Sequence, residues 1–100
     1  MSDEETQRTE EQQPVNLPTP SLHLLATQLA TQAMMELGEI ANPVTGATEV
    51  SLPRAKFTID MLQVLKDKTE GNLSPEELQF VEGALQEVRL KYVQQKGSSE

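Results

Sequence analysis

Four groups of residues have types and spacings that could do chemistry. His23 is the one histidine, and the chain has no cysteine. Zinc needs several nitrogen, sulfur or carboxylate ligands, and a nucleophile relay needs a thiol or hydroxyl beside an oriented base. A lone histidine supplies neither, so His23 reads as a packing or surface residue. The stretch from Asp67 to Leu78 has the outline of a calcium loop. With Asp67 first, however, Gly71 falls fifth rather than sixth, and the twelfth residue is Leu78 instead of a bidentate glutamate. The segments on either side of Gly71 also have a helix-turn-helix outline. The residues that would enter the major groove are Pro75, Glu76 and Glu77, and two carboxylates there would face phosphates. The fourth group is Lys56 and Asp60 with Glu36 and Glu39. They could build a polar pocket where the first connector meets the second helix, or they could be hydrogen bonds that pin that connector. The second reading is preferred, because buried polar groups are usually satisfied within the protein. Met34, Met35 and Met61 could form an adaptable binding surface, but at helical spacing beside leucine they read as core.

Composition narrows the classes further. The chain has 100 residues and a formal net charge of −8. Its first 16 residues hold Asp3, Glu4, Glu5, Glu10 and Glu11 against Arg8 alone, and no aromatic residue. Such a segment buries too little apolar surface to offset its ordering entropy, so 1–16 is expected to be a disordered acidic tail. Its plain role is a solubilising extension; a sharper one is a lure for a basic partner. The foldable part is then 17–95, with 96–100 a disordered C-terminus. Disulfides are excluded, and a chain of this size often gains stability by oligomerising. The acidic start has no secretory signature, and no stretch reaches the roughly 20 apolar residues of a membrane span. A cytoplasmic protein that holds neither membrane nor nucleic acid is the expectation, since the acidic body lacks clustered lysine and arginine.

The elements that must position these residues are three helices, at about 20–37, 52–70 and 75–95, in an all-α module with an ordered, turn-rich connector between the first two. Thr19 and Pro20 mark the first start, and Gly38 the first stop. Leu22, Leu25, Leu29 and Ala33 make one face, widened by Ala26, Ala30 and Leu37. The other side is threonine and glutamine, which suggests cover on more than one side. The connector holds Asn42, Pro43, Val44, Thr45 and Gly46, which are turn residues, and Ile40 and Val50 can tuck beneath it. Ser51 caps the second helix and Gly71 stops it. That helix has two apolar stripes, Ala55, Ile59, Leu62 and Leu65 and then Phe57, Met61 and Val64, so it is expected to be central, between two neighbours. Arg54, Lys56, Lys66 and Lys68 form a charged solvent face open to pairing with Glu36, Glu39 or Glu70. Ser74, Pro75 and Glu77 form a capping box. The third helix then carries a heptad-like seam of Leu78, Val81, Leu85, Val88 and Tyr92, with Phe80, Ala84 and Val93 as a second line.

Several of these clusters occur together in one known pattern. Leu37-Gly38-Glu39, the turn Pro43-x-Thr45-Gly46, Leu52-x-x-Ala55-Lys56-x-Thr58-Ile59-Asp60-x-Leu62 and Lys68-Thr69-x-Gly71-Asn72-Leu73 resemble a bacterial domain-of-unknown-function family, number eighteen forty-four. The resemblance covers about residues 21–92 and is specific in combination. It implies a small helical protein with a variable acidic extension and no assigned activity, so no catalytic residue is carried over. Glu39, Gly46, Lys56, Asp60, Lys68, Thr69, Gly71 and Asn72 match the motif and are the candidate structural or binding positions. Ala41-Asn42 departs from it, since a Pro-Asp pair is expected before the turn proline; Asn42 can still start a turn.

The leading expectation is therefore a protein without catalysis, cofactor or metal. It would act as a protein-protein interaction or homo-oligomerisation module, with a dimer favoured. The alternative is a small-molecule or peptide binder using residues 38–60. An enzyme is disfavoured, because no motif places a nucleophile beside a base.

Overall fold

The computed structural model describes residues 15–99, and within them the chain forms three helices. These are α1 (Leu22–Glu36), α2 (Leu52–Lys68) and α3 (Pro75–Ser99). Apart from residues 15 and 16, the acidic segment expected to be disordered lies outside the described residues, as does Glu100.

Local chemistry explains each helix end. The expected Thr19 cap is corrected to Ser21, whose extended backbone (φ −158°, ψ 160°) lets its hydroxyl accept the Leu24 N–H at 3.0 Å. Pro20 stands just ahead of the cap, where its missing N–H costs nothing. At the other end of α1, Gly38 takes φ +76° and the chain closes with two bonds, Gly38 N–H to Met35 and Glu39 N–H to Met34. A glycine reaches this left-handed conformation without the penalty a Cβ would bring. Ser51 caps α2 by accepting the Arg54 N–H. Thr69 closes α2 with its hydroxyl on the Leu65 carbonyl at 2.7 Å, and Gly71 turns the chain at φ +85°.

The capping box of α3 is present in both directions. Glu77 N–H donates to Ser74 Oγ at 3.1 Å, and Ser74 N–H donates to Glu77 Oε1 at 2.8 Å. Replacing Ser74 with alanine leaves the Glu77 N–H without that acceptor. A loss of about 1 kcal/mol is expected, read as a fall of roughly 4–8 °C in the thermal midpoint. Circular dichroism melts check it, and an unmoved midpoint would show that water replaces the cap at no cost. The far end of α3 differs from expectation. The helix continues through Gly97 to Ser99, and Ser98 Oγ bonds the Gln94 carbonyl. Gly97 keeps helical φ, so it does not act as a stop.

Packing is mutual. Each helix contacts both others, so α2 is not a central helix between two flanking ones. The cause lies in α1, where Ala26 and Ala33 are the buried positions, followed by Leu37 at its C-cap, while Leu25 is exposed. Alanines at the seam let α2 and α3 both approach closely. The core is completed by Ala55, Ile59, Leu62, Val81, Leu85 and Val88. Leu29, Leu65, Phe80 and Tyr92 are partly buried against it. The first stripe of α2 is therefore internal. Its second stripe is not: Phe57, Met61 and Val64 are 67%, 45% and 50% exposed. Leu78, at the head of the α3 seam, is also exposed.

The connector is anchored at both ends. Leu37 and Val50 form an isolated antiparallel bridge, and Ser51 N–H donates to the Glu36 carbonyl at 2.8 Å. At the tip, Asn42 organises the turn. Its Oδ1 accepts the Val44 N–H at 2.8 Å, its carbonyl accepts Gly46, and its N–H reaches Ala47. Ile40 and Val50 do not tuck beneath the loop as expected. Both are exposed, because the bridge holds the chain alongside the end of α1 rather than across the core.

Candidate functional site

The candidate residues fall in three separate places. Glu39 and Gly46 belong to the connector. Glu39 pairs with Lys91 of α3 at 3.3 Å, and Gly46 takes φ +74° in the Asn42 turn. Lys68, Thr69, Gly71 and Asn72 belong to the α2–α3 turn, where the Asn72 N–H donates to the Thr69 carbonyl at 2.9 Å. Lys56 and Asp60 stand one turn apart on α2, with Nζ and Oδ2 at 2.9 Å.

Lys56 and Asp60 do not join Glu36 and Glu39, either as a polar pocket or in the preferred reading as bonds that pin the connector. Lys56 and Asp60 pair within their own helix and stay exposed, so they do not pin the connector. Glu36 takes up that task with a partner the sequence reading did not consider. Thr58, only 2% exposed, donates to Glu36 Oε1 at 2.6 Å, and Gln32 Nε2 reaches both residues at 3.4 and 3.5 Å. This cluster ties the last turn of α1 to α2 and satisfies the one polar side chain among the buried residues.

The basic face is also partnered differently from expectation. Lys66 reaches Glu82 on α3 at 3.4 Å, rather than Glu36, Glu39 or Glu70. Arg89 on α3 donates to the neutral amide oxygen of Gln63, whose NH₂ in turn donates to Asp67 at 2.8 Å. The Asp60 carboxylate, first by accepting the hydrogen bond and then by its charge, holds the Lys56 ammonium above its ordinary value. A raised lysine value means that the pair's contribution is complete below the ordinary 10.5 and is lost only as pH rises beyond it. The pair is therefore intact across the neutral range.

His23 stacks on Phe80, with ring centroids 3.8 Å apart and planes tilted by 32°. The contact joins the start of α1 to α3, which is a packing role. Among the described residues, no group of three or more histidines or acids is placed to hold a metal ion. Among the described residues, no helix is long and apolar enough to cross a membrane.

Two clefts bring together residues from separate segments. One lies under the connector, about 230 Å³, with Gln32, Glu36, Asn42, Glu49 and Arg54 on its walls. The other lies between the first half of α2 and the last half of α3, about 290 Å³. Ile59, Tyr92 and Val93 give it an apolar floor, and Lys56, Asp60 and Arg89 form its rim. Lys56 and Asp60 of this cleft were candidates from the sequence, but their spacing does not reveal that Arg89, Tyr92 and Val93 of α3 stand opposite.

Three mutually packed helices, one anchored connector and no strand among the described residues define a small all-α domain. Residues 19–94 match the family model described as Domain of unknown function (DUF1844), and the chain belongs to that family. No curated protein matches the chain, and no solved structure does.

Proposed function

We propose that this chain is a non-catalytic helical interaction module that associates with copies of itself. One observation carries the reading: the outer face of α2 holds Phe57, Met61 and Val64 at spacings of four and three, all largely open to water. Burying apolar surface is worth about 25 cal/mol per Å², and large side chains aligned on one helix face are what a partner helix covers. The seam residues of all three helices already face one another, so nothing among the described residues covers this stripe.

Light scattering coupled to size exclusion tests the reading on the full chain. The expected result is a species of at least twice the 11.1 kDa chain mass, converted toward one chain by Met61→Lys. A mass of one chain at high micromolar concentration overturns it.

The cleft under the connector favours a second reading, a small-molecule or peptide binder working through residues 38–60. Arg54, Glu36 and Glu49 line it, which would suit a ligand carrying both charges. A ligand for this cleft would lose affinity on Arg54→Ala without any change in the chain's mass in solution.

A further inference from the structure

We infer that the connector is a strap that opens and closes as one body, latched to α3 by the Glu39–Lys91 ion pair, and that its position sets access to both flanks of α1. The inference is independent of the self-association reading and concerns a different part of the surface.

Burial identifies the strap. Residues 39–50 are all exposed, so none of them is locked into the core. Segments with few buried apolar contacts and solvent-exposed hydrogen bonds open at a free energy well below that of the whole domain. The segment nevertheless has a shape of its own. Asn42 N–H donates to the Ala47 carbonyl, Gly46 N–H to the Asn42 carbonyl and Ala47 N–H to Thr45 Oγ1, all within the turn. These bonds travel with the strap and survive its movement. Its attachments lie at the base. Ser51 N–H crosses to the Glu36 carbonyl beside the Leu37–Val50 bridge, and Glu39 pairs with Lys91 of α3. Gly38 at one end and Ser51, the extended cap of α2, at the other are element-terminal positions of the kind that act as hinges.

The strap contributes a wall to two clefts, one on each flank of α1. Asn42, Ala47 and Glu49 line the cleft shared with Gln32 and Arg54. Ile40 lines an open groove of about 610 Å³ between α1 and α3, where Met34, Phe80 and Ala84 supply apolar surface. A swing about Gly38 and Ser51 takes a wall from both at once, so the two flanks of α1 are gated together. The latch determines what controls the gate. The Glu39 and Lys91 side chains are 36% and 33% exposed and stand 3.3 Å apart. A pair that keeps a third of its surface in water is open to screening by salt, and pairs of this kind shift an equilibrium by about one and a half to fivefold. Rising ionic strength, or a charged partner that draws off either residue, therefore moves the strap toward its open position.

Native-state hydrogen exchange on the full chain tests the strap and its latch. The Ser51 amide reports the base of the strap, and the Leu62 amide, in the buried part of α2, reports global unfolding. The opening seen at Ser51 should be populated at least about tenfold more than that seen at Leu62. It should also respond weakly to urea, because a swinging strap exposes little new surface. Lys91→Gln removes the latch from the closed position alone. The Ser51 opening should then rise about one and a half to fivefold at low salt. That rise should vanish near roughly 1 M salt, where charges are screened within about 3 Å. Lys56→Gln removes an ion pair that the open strap keeps, so the Ser51 opening should stay unchanged whatever happens at Leu62. Ser51 exchange that matches Leu62 in both population and urea dependence overturns the strap as a separate body. An unchanged Ser51 opening after Lys91→Gln, or an equal rise after Lys56→Gln, overturns the latch.

Discussion

Replacing Leu62 with alanine is expected to lower stability by about 2–5 kcal/mol, the range for a leucine truncated in a packed core. Leu62 is 1% exposed and lies in the buried cluster with Ala26, Ala33, Ile59, Val81, Leu85 and Val88. A domain of this size has about 4–12 kcal/mol in total at ordinary stability per residue, so one substitution removes a large share. A thermal midpoint lowered by roughly 10–30 °C is expected. Leu90→Ala is the control, since Leu90 is exposed on α3 and should shift the midpoint little. Equal shifts for the two variants would show that the core is not centred on Leu62.

The second large effect is expected at Gly38. Its φ of +76° costs a residue with a Cβ about 1–2 kcal/mol. A Cβ built there would also stand 2.8 Å from Cγ2 of Val50, closer than carbon atoms approach. The bridge to Leu37 fixes the Val50 backbone, so relief has to come from its χ1, and valine is stiff there. Gly38→Ala should cost about 2–3 kcal/mol in all, the backbone penalty plus roughly the price of an off-rotamer valine. Gly71 provides the comparison. It has a similar φ of +85° but open space where its Cβ would go, so Gly71→Ala should show the backbone penalty alone. Urea unfolding of both variants separates the two contributions. If Gly38→Ala costs no more than Gly71→Ala, Val50 relaxes freely and the anchor is looser than its geometry suggests.

These effects also mark where the sequence was readable. Helix ends announced by side-chain caps or by glycines were legible, because the bonds that make them lie within a few residues of each other. Ser51, the Ser74–Glu77 pair, Gly38 and Gly71 are of this kind. The start of α1 was misassigned by two residues, since Thr19 and Ser21 are both capable caps and only the extended backbone at Ser21 decides between them. Gly97 was read as part of a frayed end, but a glycine ends a helix only where the chain takes positive φ, and here it does not. The second stripe of α2 shows a different limit. Periodicity identifies an apolar face without saying whether it turns inward or outward, and Phe57, Met61 and Val64 turned outward. The same holds for the candidate site. The Lys56–Asp60 contact is local and was anticipated, whereas Glu39 with Lys91, Lys66 with Glu82 and Thr58 with Glu36 join distant segments. Nothing in the spacing of charges encodes which helix will stand opposite.

The bridge between Leu37 and Val50 has a consequence for how the chain tolerates added length. By clamping the connector at its base, it separates the tip around Val44 and Thr45 from the three packed helices. Val44 is almost wholly exposed there, and the tip's hydrogen bonds are made within the turn itself. Doubling the length of such a loop costs only about 0.6 kcal/mol of closure entropy. The domain can therefore carry a peptide or a fluorescent label between Val44 and Thr45 and still fold, with the insertion projecting from the surface away from the packed helices.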